Sequence, residues 1–333
     1  MEKQVARYAA RKHFSRNNEQ EIYRIVIDKA SESDIRNVMW SVSNVKRILE
    51  SKFRSWSESG AFKRKFDMNN GIVRMVVQPC DDWRIFRMTI KESAVQDYLS
   101  QLFDFVTGIY SVHATRLGTL TLPVFELALE MKRLDRTMMS FITSNPNTHE
   151  LKCMFSQVIS MIYCMNDKGV VHNDLKPDNL MCVKEDHLYQ DVFGLQQNMI
   201  SDKFYVIDFG LCNLSGHGDD IFFFCWFLFH KMAKYMRNYG LLDVLSKQLL
   251  VEKDSIPSHL HNRIKCHERD DGIYDFSKKG SKFLESPWEK QYFIDKDVLY
   301  QISQKMNTEM PKDKRESKHY VLLSDIYSIL GRI

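Results

Sequence analysis

Glycine and proline are scarce, 13 and 7 among 333 residues, so no long flexible, low-complexity or proline-rich tract is expected. Long hydrophobic runs are missing as well. The most apolar one, IFFFCWFLFH from Ile221, is about half as long as a bilayer-crossing helix. It reads as a buried helix of a large domain, and no membrane partner is expected. The amino-terminal stretch MEKQVARYAARKHFSR alternates charge with apolar residues and lacks the apolar centre of a secretory signal. The seven cysteines are odd in number and show no CxxC spacing. That argues against a zinc site or a disulfide framework and for a reducing, intracellular setting, cytoplasmic or nuclear. A net charge of +4 is too small to argue for nucleic acid. Arg7, Arg11, Lys12 and Arg16 read as the solvated face of a helix, with an acidic partner or a nucleic acid as the alternative.

What is present is ordinary for a globular protein, with 44% apolar and 27% charged residues. The length allows one two-lobed domain or two smaller ones. From about Gly71 the pattern is that of strands, in GIVRMVVQP and RIFRMTIK. KESAVQDYLSQLFDFV then places Val95, Leu99, Leu102 and Phe103 on one side of a predicted helix. TLTLPVFELALEM is β-rich again and exits into the charged KRLDR. From His149 to Asp167, Leu151, Met154, Phe155, Val158, Ile159, Ile162 and Tyr163 form a broad apolar helical face, and Gly169 stands where helices stop. A polar, hairpin-like excursion leads to KFYVIDFG. Residues 219–333 read as helical with polar connections. Strand-rich first, helical later, the chain is expected to be α+β with two lobes about a cleft.

The most informative stretch is VVHNDLKPDNLM, Val170 to Met181. It puts two acids, a lysine and an amide between apolar runs. Transfer of a phosphoryl group asks a protein to position the nucleophile, accept its proton and neutralise phosphate charge. Asp174 is suited to take the proton and Lys176 to meet the migrating phosphoryl group. Asn179 offers an amide oxygen to Mg²⁺, a hard cation that prefers oxygen ligands and keeps some waters. A second oxygen ligand is available from YVIDFG, where Asp208 leaves an apolar strand and Gly210 permits a sharp turn.

HNDLKPDN followed by DFG resembles the catalytic and metal-binding loops of eukaryotic-type serine/threonine protein kinases, whose pattern is His-Arg-Asp-Leu-Lys-Pro-x-Asn. Only the arginine differs, Asn173 standing in its place. The resemblance implies a two-lobed protein-kinase-like fold, with a small β-rich lobe (residues 53–132), a larger mainly helical lobe (133–333) and a basic extension before them (1–52). It implies ATP and Mg²⁺ as cofactors and a protein hydroxyl as acceptor. Asp174 would be the catalytic base, Lys176 the contact to the transferred phosphate, and Asn179 and Asp208 the metal ligands. His172 would pack beneath the Asp208 loop. The shortened pattern looks like kinases encoded by large DNA viruses, which would place the protein in a host cell or virion.

The first lobe matches less closely. For the glycine-rich loop over the phosphates, NNGIV offers Gly71 with Val73, and SESGAF offers Gly60; an ordinary turn fits either. MTIK, ending at Lys91, resembles the strand that carries the phosphate-binding lysine, but Arg87 falls on the same face of that strand. Its acidic partner would be Asp97 or Asp104. LALEM-KRLDR resembles the strand and linker that meet adenine, with Leu129 at the back of the pocket and Glu130, Met131 and Lys132 offering backbone groups. No Ala-Pro-Glu motif follows DFG. The chain runs almost directly to Asp220, which, rather than Asp219, would tie down the catalytic loop. A missing arginine and a short segment point to an enzyme not switched by loop phosphorylation. Two other readings stand beside this one. One is a pseudokinase scaffold that binds nucleotide without transfer; the other is a small-molecule phosphotransferase of the choline or aminoglycoside kinase type.

Overall fold

The computed structural model describes residues 58–59, 63–68, 71–77, 92, 95–117, 124–195, 197–212, 218–256, 258, 261, 264–278, 282–283 and 311–332. Helices and antiparallel sheets are mixed, which makes the protein α+β. The chain divides into two compact units, residues 1–134 with 206–210, and residues 135–205 with 211–333.

The first unit is built on a five-stranded sheet of order β1-β2-β3-β5-β4. Its strands are β1 (Glu58–Ser59), β2 (Lys63–Met68), β3 (Ile72–Val77), β4 (Ile109–Leu117) and β5 (Val124–Lys132). β2 turns into β3 at Gly71, whose φ of +74° suits a residue without a side chain, and the register pairs Met68 with Ile72. In β5 the neighbours Ala128 and Leu129 point to opposite faces, and both are buried. The sheet is therefore covered on both sides there. A short helical turn, 95–99, adds Val95 and Leu99 to the core, and Gln96 fixes it by donating to the Thr107 carbonyl and hydroxyl, each at 3.0 Å. The predicted longer helix through this segment does not form. Ser100 Oγ donates to the Asp97 carbonyl at 2.7 Å and the chain turns away, a competition between side chain and helix that serine favours. Leu102 is consequently 49% exposed, while Phe103 is buried and stacks on Phe105.

The second unit begins with β6 (Arg136–Thr137) and helix α1 (Met138–Thr143), then α2 (Thr148–Asp167). α2 starts at a capping box in which Asn147 and Glu150 satisfy each other's backbone N–H groups at 3.0 and 2.7 Å. It ends before Gly169, at φ +69°. The apolar face read from the sequence is its buried face. The polar excursion is a hairpin of β7 (Leu180–Gln190) and β8 (Gln197–Val206), in a sheet of order β6-β7-β8. Gln157, buried in α2, fastens that hairpin: it donates to the Asp202 carbonyl at 2.9 Å and accepts from Phe204 N at 3.1 Å.

Helices α3 (Asp220–Lys231), α4 (Ala233–Asn238) and α5 (Leu242–Lys247) follow, and α6 (Lys318–Leu330) packs on α2. Among the described residues from 250 to 283 the expectation of helix fails. Short strands β9 (Leu250–Glu252), β10 (Ile264–Lys265), β11 (His267–Glu268), β12 (Ile273–Asp275) and β13 (Lys282–Phe283) occupy this stretch. Val251 lies opposite Tyr274 and both are buried. Burial is thus gained through cross-strand pairs, in segments too short to display a period. Among the described residues no helix is long and apolar enough to cross a membrane.

Candidate functional site

The loop between α2 and β7 is organised by one carboxylate beneath it. Asp220, the first residue of α3, accepts the backbone N–H of His172 at 2.8 Å and that of Asn173 at 2.9 Å. The carboxyl is fully buried, and burial pushes its pKa up, opposed by His172 and by those two N–H groups. Such charge-assisted bonds are each worth about 1.5–3 kcal/mol. Its neighbour has other work. Asp219 caps α3 by accepting from Phe222 N at 3.0 Å and pairs with Lys318 of α6 at 2.5 Å. Of the two acids weighed for tying down the loop, the structure gives that part to Asp220.

On this base the chain turns back on itself. Asn173 has φ +63°, a left-handed setting that asparagine tolerates better than most residues. His172 is wholly buried and its Nδ1 accepts from Asp174 N at 3.3 Å. Lys176 N and Asn179 N then close two tight turns, to the carbonyls of Asp174 (3.0 Å) and Lys176 (2.9 Å). The side chains of Asp174, Lys176 and Asn179 converge as a result. Lys176 Nζ lies 2.8 Å from Asp174 Oδ2, and Asn179 Nδ2 donates to the Asp174 carbonyl at 2.8 Å and to the same Oδ2 at 3.2 Å. Asp174 and Asn179 are nearly buried, while the Lys176 side chain keeps 21% exposure. Asn179 thus spends its amide nitrogen on the loop.

Asp208 follows β8 and precedes a single 3-10 turn, Phe209–Leu211. Its φ is +66°. Of the three non-glycine residues with positive φ among those described, Asn145 ends a helix, and the other two are Asn173 and Asp208. Backbone strain of this kind costs on the order of 1–3 kcal/mol and tends to gather at functional sites.

The candidate nucleotide residues of the first unit lie on adjoining strands. Gly71 is the β2–β3 turn, exposed, with open space where a Cβ would stand. Val73, buried, is registered against Met131, and Arg74 against Glu130. β5 runs on through Lys132, so Glu130 and Met131 are strand residues with β3 on one side and β4 on the other. The Glu130 side chain is engaged: Arg74 Nε donates to Oε1 at 2.8 Å, and its Nη2 reaches the same oxygen. Nothing in the sequence pattern pointed to that ion pair. Lys91, Arg87 and Gly60 lie outside the described residues. Asp97 is buried and Asp104 exposed.

Two residues escaped the sequence reading. Gly218, at φ +145°, presses so closely on the loop at 171–173 that a Cβ there would stand 2.6 Å from Val171 Cγ1 and 2.8 Å from Asn173 Oδ1. Lys318 comes from the far end of the chain to meet Asp219. No local signal could have found either, because each is defined by a partner distant in sequence.

A stretch of this chain is similar to protein kinases. Over 78 residues, 23% of its length, it is 37% identical to sperm motility kinases 3A and 3B of Mus musculus. Over 112 residues, 34% of its length, it is 31% identical to a negative regulator of sexual conjugation and meiosis of Schizosaccharomyces pombe. These matches span only 12% and 20% of the relatives' own lengths. No family model matches the chain.

Proposed function

We propose that this protein is an ATP- and Mg²⁺-dependent serine/threonine protein kinase with a two-lobed fold, residues 53–132 forming the small lobe and 133–333 the large one. The observation that carries the reading is the convergence of Lys176 and Asn179 on the Asp174 carboxylate, over a loop held at two backbone N–H groups by Asp220. Preorganised groups of this kind cost no rearrangement at the moment of reaction.

In this reading Asp174 accepts the proton of the acceptor hydroxyl, and Lys176, held beside it, meets the transferred phosphoryl group. The donor set left for a metal, the Asn179 amide oxygen and the Asp208 carboxylate, is all oxygen and suits Mg²⁺. Bound there, the ion would neutralise phosphate charge. Gly71, Val73, Glu130 and Met131 would border the nucleotide, with Lys91 or Arg87 as the cation on the phosphates. The protein would work in the cytoplasm or nucleus on a protein substrate. Its compact connection from DFG to Asp220 is the feature shared with kinases of large DNA viruses.

Purified protein incubated with Mg²⁺ and labelled ATP is expected to label itself or a basic protein. Asp174→Ala should abolish transfer while preserving the rise in melting temperature with Mg²⁺-ATP, which mass action requires of any bound ligand. Good nucleotide binding without transfer by the native protein would establish a scaffold instead. Labelling confined to a small alcohol would establish the small-molecule phosphotransferase. Lys91→Met and Arg87→Met in the same melting series identify which cation holds the phosphates.

A further inference from the structure

We infer that Asn173 is a positioning residue that clasps both ends of the segment between Leu211 and Gly218, so that the attachment of this segment to the catalytic loop needs no phosphate. Its consequence for catalysis rests on the kinase reading above; the clasp itself does not.

Each atom of the Asn173 amide has a place. Nδ2 donates to the Leu211 carbonyl at 3.2 Å, which holds the segment where it leaves the 3-10 turn. Oδ1 lies against Gly218, so close that a Cβ on residue 218 would sit 2.8 Å from it. The backbone N–H of the same residue is bound by Asp220 at 2.9 Å. Asn173 is 4% exposed. One side chain thereby meets the segment at its beginning and at its end, while its own backbone is anchored to the helix that follows.

The residue type fits this work on two counts. The backbone stands at φ +63°, where asparagine is several-fold enriched over other non-glycine residues. A carboxamide also carries a donor at short reach, which meets the Leu211 carbonyl, and its oxygen is small enough to pack against a glycine at the other end. A long cation at this position would need an anion brought to it before it could order anything; the amide finds its partners within the fold. Gly218 is the complementary half. Its φ of +145° and the contact with Val171 leave no room for a side chain.

The test compares the full-length native protein with Asn173→Gly, which keeps the left-handed backbone accessible and removes both side-chain contacts. Hydrogen exchange read by mass spectrometry should accelerate at least tenfold in peptides covering 209–212 and 218–222, with the α2 peptides unchanged. In the transfer assay kcat should fall at least tenfold with KM for ATP within twofold. Ser215→Ala, which removes the hydroxyl between Leu211 and Gly218, and phosphatase treatment should leave transfer at the native rate. Asn173→Asp keeps an oxygen beside Gly218 but loses the donor to Leu211, so it should loosen 209–212 and spare 218–222. That second variant decides the matter if the glycine variant does not fold. Unchanged exchange at both ends, or loss of transfer on phosphatase treatment, would overturn the clasp. Absence of transfer by the native protein would refute the kinase reading, and the exchange data would still decide this one.

Discussion

Replacing Lys318 by methionine removes the positive half of an ion pair while keeping an apolar stem of similar length. The pair joins the first turn of α6 to the cap of α3, with Lys318 Nζ 2.5 Å from Asp219 Oδ2. The ammonium nitrogen is buried, although 27% of the side chain touches solvent. Asp219 is 6% exposed; burial raises its pKa, yet Lys318 and Phe222 N outweigh that and hold the carboxyl below its ordinary value. Breaking a buried pair by removing one partner costs about 3–5 kcal/mol, because the other charge is stranded. The part-exposed stem puts this pair at the lower end, about 3 kcal/mol. For a protein of this size that corresponds to a fall in melting temperature of roughly 4 °C. Asp219→Asn should cost less. Asparagine still caps the helix, and the lysine stem can carry its ammonium out to water. Thermal melts of the two variants, repeated in 1 M salt, provide the check, since a buried pair is little screened. A loss of under 1 °C for Lys318→Met, or a larger loss for Asp219→Asn, would refute the assignment of a buried, energetically coupled pair.

His319, next along α6, is fully buried, edge-on to Tyr163 and 3.3 Å from Asn166 Nδ2. Burial, then the Lys318 charge, push its pKa down to about 3 against the pull of Asp219. The unfolded chain takes up this proton near pH 6.5 and the folded one does not. The contribution is therefore complete above pH 6.5 and declines by about 1.4 kcal/mol per unit as pH falls toward 3. Unfolding free energies from urea titrations at pH 7 and pH 5 should differ by about 2 kcal/mol from this group, and His319→Gln should remove that difference; an equal slope in the variant would contradict it. Asp220→Asn leaves one acceptor oxygen for two N–H groups, so a buried donor loses its partner at about 1–3 kcal/mol. Exchange at residues 172 and 173 should quicken with it, and transfer should fall; native exchange rates there would mean the loop has another support.

What could be read in advance was whatever is written locally. The α2 face, its stop at Gly169 and the hairpin before KFYVIDFG all depend on residues a few positions apart, and the fold realises them. Local competition defeated the prediction for residues 100–103, where a serine hydroxyl takes the Asp97 carbonyl. The strands between 250 and 283 were hidden for a different reason, since two or three residues hold no period and their pairing partners are remote. The same distance hid Gly218 and Lys318. Asp219 and Asp220 divide along the same line. The resemblance favoured Asp220 for the loop and the fold agrees, whereas only the fold shows that Asp219 meets Lys318.

Strain separates a structural from a functional account of Asp208. Its left-handed φ of +66° costs a non-glycine residue on the order of 1 kcal/mol, a cost glycine does not bear. Among the described residues its carboxylate meets no hydrogen-bond donor or cation. A side chain that held the fold together would offset the strain with such a contact; a side chain kept for a ligand would not. Asp208→Gly therefore discriminates the two. If the carboxylate serves a bound metal, the variant without ligand should melt at or slightly above the native temperature, by the roughly 1–2 °C that about 1 kcal/mol allows. The additional rise given by Mg²⁺ over ATP alone should vanish. A drop of several degrees in the ligand-free variant would show that the carboxylate supports the fold, and a preserved Mg²⁺-dependent rise would remove Asp208 from the metal site.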